Sequence, residues 1–209
     1  MREERFENND YVFPFIAYIS DELSEKPAII FHLHGAGERG NGENLDLVLT
    51  HGFPKTYDNE YFKDCILVMP QCPENSFWAA KVESLKLFMD RIIEKYSADK
   101  NRVYLTGLSM GGFGTWYTAM AYPDMFAAIA PCCGGGMPWN AGVLNMPVWA
   151  FHGLEDDVVL PSNTIDMVNS LKKSNPNVKF DLYEGVGHNS WELAHTKELM
   201  KWLLEQKRI

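Results

Sequence analysis

The stretch "NRVYLTGLSMGGFGTW" (101–116) leaves this chain few folds to adopt. A short run of apolar, β-branched and aromatic residues passes into glycine-rich chain and then into a helical pattern, with no room for a loop between them. Glycine is costly inside either element. Glycines at 107 and 111, on either side of Ser109, make sense where a strand turns straight into a helix and the residue between is bent into a conformation that larger neighbours would obstruct. Gly107-Leu-Ser-Met-Gly111 is a G-x-S-x-G pentapeptide, and the strand before it and helix after it are the setting that motif requires. The Ser109 hydroxyl then stands above the end of a sheet, beside the free N–H groups of a helix N-terminus.

The rest of the chain supplies that sheet. Strand-like runs occur at 11–19, 28–35, 65–70, 102–109, 126–132, 148–153 and 178–185. Helical patterns alternate with them at 79–96, 110–121, 162–173 and 189–206. In the first, Val82, Leu85, Phe88, Met89, Ile92, Ile93 and Tyr96 form one apolar stripe. Such alternation, with nearly continuous apolar strands, predicts an α/β fold: a mostly parallel sheet with helices on both faces. The run 11–19 contains Pro14 and joins the next through "SDELSEKP", which predicts an antiparallel edge hairpin ahead of the parallel strands. At 209 residues, 46% apolar and 22% charged, the composition fits one globular domain over 1–209.

A net charge of −9 argues against nucleic acid or an anionic membrane surface as partner. No apolar run is long enough to span a membrane. The first residues, "MREERFENND", contain no apolar signal core, and the spacing of Cys65, Cys72, Cys132 and Cys133 matches no zinc motif. Free thiols filling apolar space in a reducing, cytoplasmic compartment are the expectation.

A serine near neutral pH is a weak nucleophile and needs a base, which in turn needs an orienting carboxylate. Residues 148–161, "VWAFHGLEDDVVLP", read as a strand followed by a loop bearing Asp156 and Asp157. Residues 183–191, "YEGVGHNSW", read as a strand end followed by His188 at the mouth of the last helix. Ser109, an aspartate and His188 then follow three different strands, in the order that sheets with this serine turn use. Spacing alone leaves both aspartates open. Among the other histidines, His32 and His152 lie in apolar strands as satisfied structural residues, and His51 and His195 belong to the surface or a helix.

Ester-type chemistry also needs backbone donors for the oxyanion of the tetrahedral intermediate. The N–H of Met110, next after the serine, is one. The loop "HLHGAGERGNGEN" after the second run nominates the N–H of Ala36 as the other, with His34 neutral and fixing the loop. Gly35, Gly37 and Gly40 have the spacing of a phosphate loop, but no clear helix start follows them. Phe113, Trp78, Met137, Trp139 and Trp191 are candidates to line a substrate pocket, which the loop "PCCGGGMPWN" would help to shape.

With these pieces assembled, the chain resembles the α/β-hydrolase superfamily, and within it the small carboxylesterase/phospholipase group that includes acyl-protein thioesterase-like and poly(hydroxyalkanoate)-depolymerase-like esterases. "LHGAGERG", "GLSMGGFGTW", "AFHGLEDDVV" and "GVGHNSW" carry the resemblance, which runs from about residue 12 to the C-terminus. It implies a serine hydrolase of carboxylic esters with short- to medium-chain or small aryl groups, acting through an acyl-enzyme with no metal or cofactor. An acyl thioesterase, a feruloyl or acetyl carbohydrate esterase and a non-catalytic binding protein on the same scaffold are the competing readings. In the family the acid sits four residues after the histidine of an H-G pair, which favours Asp156. The resemblance also implies the oxyanion role of Ala36, a small-molecule ester as partner, and a monomer or homodimer. No insertion is long enough for a large lid.

Overall fold

The computed structural model describes residues 1–56 and 61–208. Among these residues eight strands form one sheet: β1 (Arg2–Phe6), β2 (Phe15–Ile19), β3 (Ala28–Leu33), β4 (Cys65–Pro70), β5 (Val103–Leu108), β6 (Ala128–Cys132), β7 (Val148–Gly153) and β8 (Val178–Tyr183). The helices are α1 (Phe53–Thr56), α2 (Val82–Lys95), α3 (Met110–Ala121), α4 (Ser162–Leu171), α5 (Trp191–Ala194) and α6 (Lys197–Glu205). The spatial order is β1-β2-β4-β3-β5-β6-β7-β8, antiparallel between β1, β2 and β4 and parallel from β4 to β8.

The antiparallel edge pair is present, but its members are β1 and β2. β2 and β3 do not pair, because β4 lies between them. β1 was invisible as a strand: "REERF" carries no apolar alternation, and its backbone is held by the register Arg2↔Ile19 to Phe6↔Phe15. The helical pattern at 189–206 divides into α5 and α6. His195 turns inward at the break, and the Thr196 hydroxyl accepts the Leu199 N–H to start the new helix.

Strand residues alternate between two cores. Ile29, Phe31, Leu33, Val103 and Leu105 face Leu85, Phe88, Trp116, Met120 and Met167 of α2, α3 and α4. Ile30, Leu67, Tyr104, Ala130 and Phe151 face Phe53, Leu199, Met200 and Leu203 of α1 and α6. β3 and β5 are parallel neighbours, but the chain leaves β3 toward β4 on one side and continues from β5 toward β6 on the other. The crevice beyond their carboxyl ends is where such sheets bind ligands. All four cysteines are buried and reduced, and burial pushes the Cys65 and Cys132 thiols up, so they act as apolar fillers. Among the described residues no helix is long and apolar enough to cross a membrane.

His195 does not lie on the surface. Its Nε2 is 3.1 Å from Thr106 Oγ1, and its ring centroid is 4.8 Å from that of Phe53 and 5.0 Å from that of His32. His32 is structural, yet among the described residues neither ring nitrogen has a partner at hydrogen-bond geometry. Burial lowers the His195 pKa to about 4 and takes that of His32 well below the ordinary value. Both rings are therefore neutral in the folded state but bind a proton near pH 6.5 once unfolded. The unfolded state holds more protons in that window, so the stability these two neutral rings contribute is complete above about pH 6.5 and falls as pH drops toward 4. His195 alone accounts for about 3 kcal/mol of the loss. Denaturant midpoints measured across that range should fall steadily; a flat profile would contradict the burial of neutral rings.

Candidate active site

β5 ends at Leu108 and α3 begins at Met110, leaving Ser109 alone to make the turn at φ 53°, ψ −118°. For a residue with a side chain this is strained backbone, and the packing around it holds it there. A Cβ on Gly107 would overlap the Gly111 carbonyl, and one on Gly111 would overlap the Leu33 carbonyl. Glycine is thus dictated by the close approach of α3 to the ends of β3 and β5. The Ser109 N–H donates to the Cys132 carbonyl at 3.0 Å and to Cys133 Sγ at 3.2 Å, tying the turn to β6. Cys133 itself has φ 41°.

Asp156 follows β7 and His188 follows β8. His188 Nε2 lies 2.8 Å from Ser109 Oγ, and His188 Nδ1 lies 2.8 Å from Asp156 Oδ2. The structure thus brings the three residues into one hydrogen-bonded chain. Asp156 Oδ1 accepts the N–H groups of Val158 at 3.0 Å and Val159 at 2.9 Å. Burial alone would push the Asp156 carboxyl up; the His188 bond and the two amides outweigh it and hold its pKa below the usual value. An ionised carboxylate at Nδ1 keeps that proton in place and leaves Nε2 free to accept from the serine. Asp157 is exposed.

The loop after β3 approaches from the other side. Cys72 N–H donates to His34 Nε2 at 2.9 Å, so the ring carries its proton on Nδ1, which donates to the Gly35 carbonyl at 2.6 Å. The carbonyl and the following N–H point opposite ways in one peptide plane, so His34 orients the N–H of Ala36. A Cβ built on Gly35 would stand 3.7 Å from Ser109 Cβ, which puts this peptide against the serine. Among the described residues the N–H groups of Ala36 and Met110 have no acceptor. Two unpaired donors beside one hydroxyl are the elements of an oxyanion site.

The pocket candidates separate. Phe113, with Phe77, Ala79, Met110 and Tyr117, lines an apolar cleft of about 410 Å³. Trp78 does not line it. It is fully buried beside Phe13 and His34, because its large ring fills the core while its N–H donates to the His34 carbonyl at 3.1 Å. Trp191 packs edge-on to His188 at 5.3 Å and also against His51. Met137 packs on the core, and Trp139 stands 83% exposed. Sequence reasoning missed Phe77 and Tyr117. Phe77 lies in a loop, and Tyr117 is one turn along α3 from Phe113, a spacing that could have revealed it.

The chain is similar to known esterases in sequence and in fold. The chain is 28% identical over 155 residues to a bifunctional acetylxylan esterase/xylanase of Neocallimastix patriciarum, covering 68% of this chain and 21% of that protein. It is 34% identical over 134 residues to feruloyl esterase B of Neurospora crassa, covering 56% of this chain and 42% of that protein. The chain therefore spans less than half the length of these curated relatives. Among solved structures, a thermostable esterase superposes with a TM-score of 0.83 at 29% identity, over 99% of this chain and 63% of that one. The model of the dienelactone hydrolase family matches residues 53–194, most of the chain and all three residues of the hydrogen-bonded chain. With this match, the chain belongs to the dienelactone hydrolase family, within the α/β-hydrolase superfamily.

Proposed function

We propose that the chain is a serine carboxylic-ester hydrolase in which Ser109 is the nucleophile, His188 the base, Asp156 the orienting acid, and the N–H groups of Ala36 and Met110 the oxyanion donors. One observation carries this reading: a serine on a strained turn, 2.8 Å from an imidazole whose far side meets a buried carboxylate. His188 Nε2 takes the hydroxyl proton as Oγ attacks the carbonyl carbon. The charge that develops on the carbonyl oxygen meets the two amides. The alcohol leaves with the proton from His188, and water, deprotonated by the same nitrogen, cleaves the acyl-enzyme.

The apolar cleft beside Met110 and Phe113 suits a short acyl chain or one aromatic ring. Relatives named for acetylxylan and feruloyl ester cleavage support acetyl or aryl esters of a carbohydrate as the natural class. A panel of p-nitrophenyl acetate, butyrate and decanoate, methyl ferulate, acetylated xylan and palmitoyl-CoA tests this. Acetate, butyrate or methyl ferulate should lead, with palmitoyl-CoA about a hundredfold or more below them in kcat/KM. Inactivity on every ester, with no labelling by a fluorophosphonate, would remove the hydrolase reading and leave a binding protein on the scaffold.

A further inference from the structure

His152 lies at the end of β7, fully buried, and no step above uses it. Its Nε2 is 2.8 Å from the Val159 carbonyl oxygen, and its Nδ1 is 2.6 Å from Thr164 Oγ1. The Thr164 oxygen in turn lies 2.6 Å from the Gly134 carbonyl oxygen. The wire is thus carbonyl, imidazole, hydroxyl, carbonyl. Both ends only accept, so each of the three gaps needs a hydrogen of its own. The threonine brings one hydrogen and a neutral imidazole one more, leaving a gap in which two lone pairs face each other. Thr164 is 1% exposed and His152 is 0% exposed, so no solvent separates them. Only a ring protonated on both nitrogens fills all three gaps.

The counter-charge is in place, since His152 Nε2 lies 3.1 Å from Asp156 Oδ2, the same oxygen that faces His188. From this bond count we infer that His152 is a buried imidazolium and a positioning residue for the proposed triad, sharing the Asp156 carboxylate with His188. Asp156 and His188 are the titratable groups that act on it. Burial holds the His152 pKa below its ordinary value despite the Val159 carbonyl and the Asp156 carboxylate, which draw it up; the bond count, which demands a third hydrogen, is the observation that argues for the charge. Loss of the proton would strand two lone pairs at van der Waals overlap beside a carboxylate, and that outcome is the less favourable.

The wire also links the acid to the nucleophile without passing through His188. Its far end, Gly134, follows Cys133, whose sulfur accepts the Ser109 N–H, and packs on the Gly112–Phe113 backbone of α3. The fixed cation beside Asp156 keeps that carboxylate ionised and sets a positive charge close to His188 across the shared oxygen.

The test is two-armed. Protein labelled with ¹⁵N-histidine, read by two-bond ¹H–¹⁵N correlation at neutral pH, should show one non-catalytic ring with hydrogens on both nitrogens, absent in His152→Gln. The second arm rests on the esterase reading: the acid limb of kcat/KM should move up by about one pH unit in His152→Gln, because the like charge near His188 is gone. His152→Gln keeps a side-chain amide donor, and its folded state is checked by thermal melting. A ring at 152 with one bare nitrogen, or an acid limb that stays put while kcat falls, overturns the inference. An inactive protein that still shows the doubly protonated ring would count against the esterase reading alone.

Discussion

Replacing Ser109 by alanine is expected to lower kcat/KM on the best ester by about 10⁴-fold or more, with labelling by a fluorophosphonate abolished. The residual rate comes from substrate binding and the two amides, which the substitution does not touch. Because Ser109 Oγ is bonded only at the mouth of the site, its loss leaves no buried group without a partner, and the melting temperature should stay close to that of the parent. Ser109→Gly removes the same hydroxyl and also the Cβ held at φ 53°, so it should be the more stable of the two by about 1 kcal/mol. Turnover within about tenfold of the parent in either variant would assign the chemistry to another group.

Asp156→Asn should cost nearly as much, and the reason lies in the amides of the acid loop. Oδ1 accepts from both Val158 and Val159, so an asparagine must keep its oxygen there. Its NH₂ then occupies the place of Oδ2 and donates to His188 Nδ1, which drives the ring proton to Nε2, where it opposes the serine. A wrong tautomer of this kind lowers kcat by about 10⁴-fold in a serine protease. Asp157→Asn, at an exposed position, should change kcat less than about twofold. Comparable losses in both variants would show that the acid has been misassigned. A pH profile of Asp156→Asn is a further check, since hydroxide should restore part of the rate.

Much of this arrangement was legible in the amino-acid order because it depends on local steric needs. Gly107 and Gly111 report close backbone approach, and that approach exists only where a strand meets a helix head-on. The α2 stripe, from Val82 to Tyr96, likewise has a period that only a helix satisfies. What escaped depends on contacts between distant segments. β1 is a strand by virtue of β2 beside it, and no property of "REERF" says so. His195 belongs inside because Thr106, 89 residues away, offers it an oxygen. Trp78 reads as pocket material in one dimension, yet its N–H needs the His34 carbonyl and its ring needs the core. In the folded chain Asp156 is buried with its carboxylate on two amides while Asp157 is exposed, a difference that spacing does not encode.

The strand order has a stereochemical consequence. β5 holds the serine, with β3 and its loop on one flank and β7 and β8 on the other. In the proposed reaction the carbonyl oxygen must therefore lie toward β3 while the departing alkoxide lies toward β8, where the imidazole can protonate it. Only one prochiral face of the carbonyl meets the nucleophile. Esters of racemic secondary alcohols should accordingly be resolved, one enantiomer outpacing its mirror image, even by a site this open.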